Sequence, residues 1–114
     1  MSTLDKAHDL ARSLRSSDEY RRLKELKSTL TADKDAEKMV NDFLKKQAEL
    51  QMEMMQGKQN EEKMQQLQKM YELLSINSTA GTYIQAYMRF QLMMQDVSKI
   101  IAESVDDVMG EKNA

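Results

Sequence analysis

The 114-residue chain has no cysteine, no proline and no tryptophan, and it has only three glycines, Gly57, Gly81 and Gly110. Without cysteine there can be no disulfide, no thiolate zinc site, no iron–sulfur ligation and no thiol nucleophile. Turns draw on Gly, Pro, Asn and Asp clusters, so the scarcity of the first two argues against a strand-rich fold. No uninterrupted apolar run approaches the roughly 18–20 residues that a bilayer span needs. The opening residues Met1 to Lys6 lack the basic start and apolar core of a secretion signal, so a cytoplasmic location is expected. A net charge of −2 provides little of the clustered positive surface that phosphate neutralisation requires, so direct nucleic-acid binding is not expected.

What is present favours helix. Met, Leu, Gln, Glu, Lys and Ala dominate the sequence, and all keep side-chain freedom in a helix. Apolar residues make up 40% and charged residues 32%, enough for one small all-α domain over residues 1–114. A domain of this size buries a modest share of its surface, and pairing with a second copy is a common way to complete the core. Charge is mildly polarised: residues 1–46 carry 11 Lys/Arg against 9 Asp/Glu, and residues 47–114 carry 6 against 10.

Periodicity places five helices in an antiparallel bundle. The first spans about residues 3–14, capped by Ser2 or Thr3, with Leu4, Ala7, Leu10, Ala11 and Leu14 on one face. The second, about 17–30, follows Ser16 and Glu19 at capping-box spacing, buries Tyr20, Leu23, Leu26 and Leu30, and has Asp18 placed to pair with Arg22. The third, about 34–56, follows Thr31 or Asp33 as cap and carries Ala36, Val40, Phe43, Leu50 and Met54. Gly57 and Lys58-Gln59-Asn60 either end it in a tight hairpin or bend one continuous helix. The fourth, about 61–74, presents Met64, Leu67, Tyr71 and Leu74. Asn77-Ser78-Thr79 then opens a long helix to about Met109.

That last helix carries the most pronounced stripe in the chain. Tyr83, Tyr87, Phe90, Met94, Val97, Ile101, Ser104 and Val108 alternate four and three apart, the spacing of a coiled-coil seam. Ile84, Met88, Met93 and Ile100 widen it beyond what two short helices of the same chain would cover. A homodimer is therefore expected, with Tyr83, Tyr87, Phe90, Met94, Val97 and Ile101 as the candidate core or interface row. Gly81 is read as admitting another helix closely in that association.

Sharper chemical readings find little support. His8 beside Asp9 has no further histidine with which to build a metal site. Met52, Met54 and Met55, with Met64 and Met70, could be soft-metal ligands, but adaptable packing explains unbranched Met better. The pairs Glu61-Glu62 and Asp106-Asp107 point about 100° apart on a helix and do not converge on a substrate. No catalytic residue, cofactor or metal is expected. Arg12, Arg15, Arg21 and Arg22, extended by Lys24 and Lys27, form the candidate polar patch for a partner. Glu19 and Glu25 interleave it and no aromatic platform accompanies it, so a solvated face is the simpler reading.

Residues 77–90, Asn-Ser-Thr-Ala-Gly-Thr-Tyr-Ile-Gln-Ala-Tyr-Met-Arg-Phe, resemble the start of the C-terminal helix in the YheA/YmcA/YlbF family of small helical bacterial proteins. Tyr83, Ala86 and Phe90 match that pattern, and Ser78 stands where proline is frequent. Ala7 to Leu14 and Ser17 to Tyr20 resemble the family's opening helices, and the likeness is nearest to the YheA branch. The resemblance implies an oligomeric, non-enzymatic adaptor that binds other proteins, including family relatives. Its setting would be an assembly that supports competence, sporulation and biofilm development through messenger-RNA processing. Cysteines implicated in iron–sulfur binding in some relatives have no counterpart here. A structural or chaperone-like protein with low-specificity Met-rich faces is the alternative expectation.

Overall fold

A computed structural model describes residues 2–110 and shows an all-α chain of packed helices. These are α1 (Thr3–Arg15), α2 (Asp18–Ala32), α3 (Lys34–Met55), α4 (Glu61–Ile76), α5 (Ser78–Ser104) and the single turn α6 (Asp106–Met109). Each of the five longer helices starts on a side chain that accepts a first-turn amide. Ser2 accepts from Asp5, Ser17 from Tyr20, Asp33 from Ala36, Asn60 from Lys63 and Asn77 from Ala80. Such caps contribute roughly 1 kcal/mol each.

Two local expectations shift by one residue. Ser16 is already the C-cap of α1, its N–H bonded back to Arg12, so the cap of α2 falls to Ser17 and the Ser16–Glu19 box does not form. Asp18 pairs with Arg21 rather than Arg22, one of the two helical spacings that bring side chains together.

Gly57 settles the hairpin. Its φ of +80° is the left-handed conformation that a side chain disfavours. Gly57 N–H donates to Met54 at 3.0 Å and Lys58 N–H donates to Glu53 at 2.9 Å. That pair of bonds is a Schellman closure, so α3 stops there instead of bending into α4. At the other end of the chain the long helix ends earlier than its apolar stripe suggests. The Ser104 hydroxyl donates to the Ile101 carbonyl at 2.6 Å, and Val105 N–H reaches Ala102 in a tightened turn before α6 begins.

The core lies where α2, α3, α4 and α5 meet. Leu30, Ala36, Val40, Phe43, Leu74, Ala80, Tyr83 and Ile84 form one buried cluster, with Leu23, Leu26, Met39, Leu67 and Met88 packed around it. Gly81 sits at its tightest point. A Cβ there would stand 2.9 Å from the Ser75 carbonyl oxygen and 3.4 Å from that of Leu74. The close approach that the sequence placed in a self-association is thus made to the chain's own α4.

Away from this cluster the fold is open. The Cα radius of gyration is 17.5 Å, where about 13 Å is usual for a domain of this length. The Cα extents are 46 × 37 × 15 Å, a slab about two helices thick. Among the described residues, α1 comes within packing distance of α2 and of no other helix, and none of its side chains is buried.

Both glycines make a prediction. Gly57→Ala should lose about 1–2 kcal/mol from the left-handed turn. Gly81→Ala should lose about 1–3 kcal/mol although alanine is the better helix former, because the obstructing atom belongs to backbone. Urea denaturation measures both, and a Gly81→Ala chain as stable as its parent would show that the end of α4 can step aside.

Candidate partner-binding faces

The row from Tyr83 to Ile101 divides into two halves. In its first half Tyr83 is buried, and Tyr87 and Phe90 are half-buried. Tyr83 and Tyr87 stack at 6.1 Å between ring centroids, and Phe90 meets Tyr20 of α2 at 5.8 Å. Burial pushes the Tyr83 phenol above its ordinary value, with the neighbouring Tyr87 adding to the effect, so the ring stays neutral. In the second half Met94 and Ile101 are exposed, and Val97 is half-buried.

The division follows from where α2 begins. α2 covers α5 as far as Phe90, which faces Tyr20 two residues into that helix. Beyond Phe90 the same helical face continues through Met94, Val97 and Ile101, with Ile100 beside it, and no helix among the described residues lies over it. Ile100 is 68% and Ile101 55% exposed. Leu92, on the far side of α5, is 60% exposed. α1 repeats the pattern: its stripe is continuous, yet Leu4 is 73% exposed and only Leu10 and Leu14 are half-covered. A third apolar area lies at the free end of the α3–α4 hairpin, where Met52, Met54, Met55 and Met64 are exposed.

The arginines flank the turn between α1 and α2 without pooling their charge. Arg12 is paired with Asp9 and Arg21 with Asp18. The Arg15 guanidinium lies 5.3 Å from the centroid of the Tyr20 ring, a cation–π contact that ties α1 to α2. Arg22 lines an open cleft of about 660 Å³ between α2 and α5, together with Asp18, Glu19, Arg89 and Asp96. Alternating sign in that cleft suits the polar rim of a protein contact more than a site for one anion. Among the described residues no three His, Cys, Asp or Glu side chains come together in a way that could hold a metal ion. No helix among them is long and apolar enough to cross a membrane.

Sequence reading did not find the ionic link across the hairpin. Lys63, in the first turn of α4, reaches Glu53 Oε2 at 3.0 Å and Glu49 Oε2 at 3.9 Å on α3. The Lys63 ammonium beside it holds the Glu53 carboxyl below its ordinary 4.5, against partial desolvation. The same ion pair holds the Lys63 ammonium above its ordinary 10.5. Its only signal in the sequence is a carboxylate one turn before a glycine and a lysine one turn after the next cap.

Over residues 3–106 the chain matches the family described as control of competence regulator ComK, YlbF/YmcA. It is 39% identical to a UPF0342 protein of Desulfitobacterium hafniense, over 96% of this chain and 89% of that protein. The UPF0342 protein of Shouchella clausii is 37% identical over 94% of this chain and 92% of its own. That of Bacillus velezensis is 31% identical, over 95% and 94% respectively.

The Lys63–Glu53 pair should stabilise the hairpin fully between about pH 4.5 and 10.5. Its contribution is lost as pH falls through the lowered Glu53 value or rises through the raised Lys63 value. Thermal melts of the parent and of Glu53→Gln should therefore differ at neutral pH and converge toward pH 3. A difference that is unchanged in acid would mean that the charge of Glu53 contributes nothing.

Proposed function

The chain belongs to the YlbF/YmcA family, and on that premise we propose that it is a non-enzymatic, self-associating adaptor that regulates by holding other proteins on its helical faces. The observation that carries this reading is the large surface left without a partner, with Leu4, Ile100 and Ile101 exposed on it. The chain exposes 9092 Å², whereas a folded monomer of its mass exposes about 6,400 Å². Contiguous exposed apolar surface on a small protein marks an interaction site. Here it lies on two well-capped helices, α1 and α5.

The family's description supports a regulatory role connected with competence. The assembly would be one that acts on RNA processing, as the resemblance of residues 77–90 to the YheA/YmcA/YlbF pattern implies, with this chain placed in the YheA branch. The mixed charges around Arg22 would set partner orientation more than affinity. A second reading rests on a separate observation, the exposed methionines at the hairpin end. Flexible thioethers accept varied apolar surfaces, as a low-specificity holding protein requires.

Light scattering at micromolar concentration should give at least twice the 13.2 kDa chain mass, and a monomer would refute the self-associating part of the proposal. Cross-linked capture of tagged protein from its own host, with and without ribonuclease, tests the adaptor part. Recovery of family relatives or RNA-decay proteins, insensitive to ribonuclease, is the expected result. Binding of several unrelated unfolded proteins with similar strength would favour the holding reading instead.

A further inference from the structure

The self-association proposed above does not say which surfaces meet. Of the apolar faces that lack cover, two match in three respects, the stripe of α1 and the far half of α5. The first is length. α1 has 13 residues, and the uncovered part of α5 runs over residues 91–104, so both are rods of about 20 Å. The second is the width of the stripe. Leu4, Leu10 and Leu14 fall within about a third of the surface of α1, and Met94, Val97 and Ile101 together with Ile100 fall within about a third of that of α5.

The third is charge. α1 carries Lys6, Arg12 and Arg15 against Asp5 and Asp9, a net of +1. Residues 91–104 carry Lys99 against Asp96 and Glu103, a net of −1. Packing the far half of α5 against itself in a second copy would set −1 beside −1 and leave α1 uncovered. Packing α1 on it sets +1 beside −1 and covers both faces at once.

We propose that α1 of one copy lies along the Met94–Val97–Ile101 face of α5 in a second copy, and that the exchange is reciprocal. The arrangement has the self-complementary form of a two-fold interface, since each copy gives one arm and receives one. It fits the area available. The chain exposes about 2,700 Å² more than a folded monomer of its mass does, and one partner in an obligate dimer contributes about 1,000–2,500 Å². The arm also needs a host. A 13-residue helix is marginal in water by itself, and within its own copy α1 packs against α2 alone.

The absence of native cysteine makes the test clean. Leu10→Cys is placed in one chain and Met94→Cys, Val97→Cys or Ile101→Cys in another, three positions because a disulfide needs Cα atoms within about 7 Å. After mixing and mild oxidation, at least one mixed pair should give a disulfide band at twice 13.2 kDa, in preference to either self-pair. A chain carrying Leu10→Cys and its best α5 partner together should also run at the doubled mass. Preferential self-linking of an α5 cysteine would overturn the proposal in favour of an α5–α5 seam. Closure of the doubly substituted chain within a single copy would overturn it in favour of an arm folded onto its own α5. A dimer by light scattering with no mixed disulfide at any position would remove the arm exchange and leave self-association standing. A monomer would remove both.

Discussion

The last turn of α4 lies so close to the first turns of α5 that the backbone of one rests on the Cα of the other. Gly81 permits this, with the Ser75 carbonyl oxygen where a side chain would begin. Asn77 fixes the angle of approach, because the same residue ends α4 and caps α5. Around that point Leu74, Ala80 and Ile84 are fully buried, and Leu30, Ala36 and Val40 close on them from α2 and α3. No other part of the molecule brings elements from so many places in the chain together. With the α4–α5 corner set, α3 returns along α4 through the Gly57 turn, and α2 comes to lie on the first half of α5.

The limits of the fold follow from the same corner. A core built at one end of a 27-residue helix cannot cover its other end, some 40 Å away at 1.5 Å per residue. α2, with 15 residues, reaches from the corner to Phe90 and stops. What remains is a slab with a well-packed middle and two helical arms whose apolar stripes face outward. The stability of such a chain is unevenly distributed: α1 and the far part of α5 have few tertiary contacts and belong to the low-stability end of the structure, whatever their local helix propensity.

Much of this was legible in the sequence because it is local. Ser2, Asp33 and Asn77 announce helix starts through side chains that reach backbone amides three residues on, and that geometry does not depend on the rest of the molecule. Leu30, Val40, Phe43, Leu74 and Tyr83 belong to stripes whose period fixes a common face. Burial along a stripe is a different matter, since it depends on which neighbour is long enough to cover it. Met94 and Tyr87 have the same phase on α5, yet only Tyr87 packs against the core cluster. Gly81 misled for a related reason: its small size shows that something comes close, but not whether that is this chain or another. The Lys63–Glu53 link was hidden because hairpin register, which pattern alone does not give, decides which charges meet.

The adaptor proposed above would gain from keeping its faces on the parts of the fold that its own core does not hold. A face covered by the chain itself must be uncovered before it can bind, and that opening subtracts from affinity. A face that only a second copy or another protein can cover carries no such penalty, and its helix gains order as the contact forms. In this chain the residues that resemble the family pattern most closely, Tyr83, Ala86 and Phe90, lie in the covered half of α5, where Tyr83 joins the core cluster and Phe90 meets Tyr20 of α2. They account for a shared fold. Further out, and outside the core cluster, lie the Met94–Ile101 face, the α1 stripe and the charges around Arg22. A change there alters which surfaces fit while Leu74, Gly81 and Ile84 stay as they are, so partner choice can diverge without the fold diverging with it.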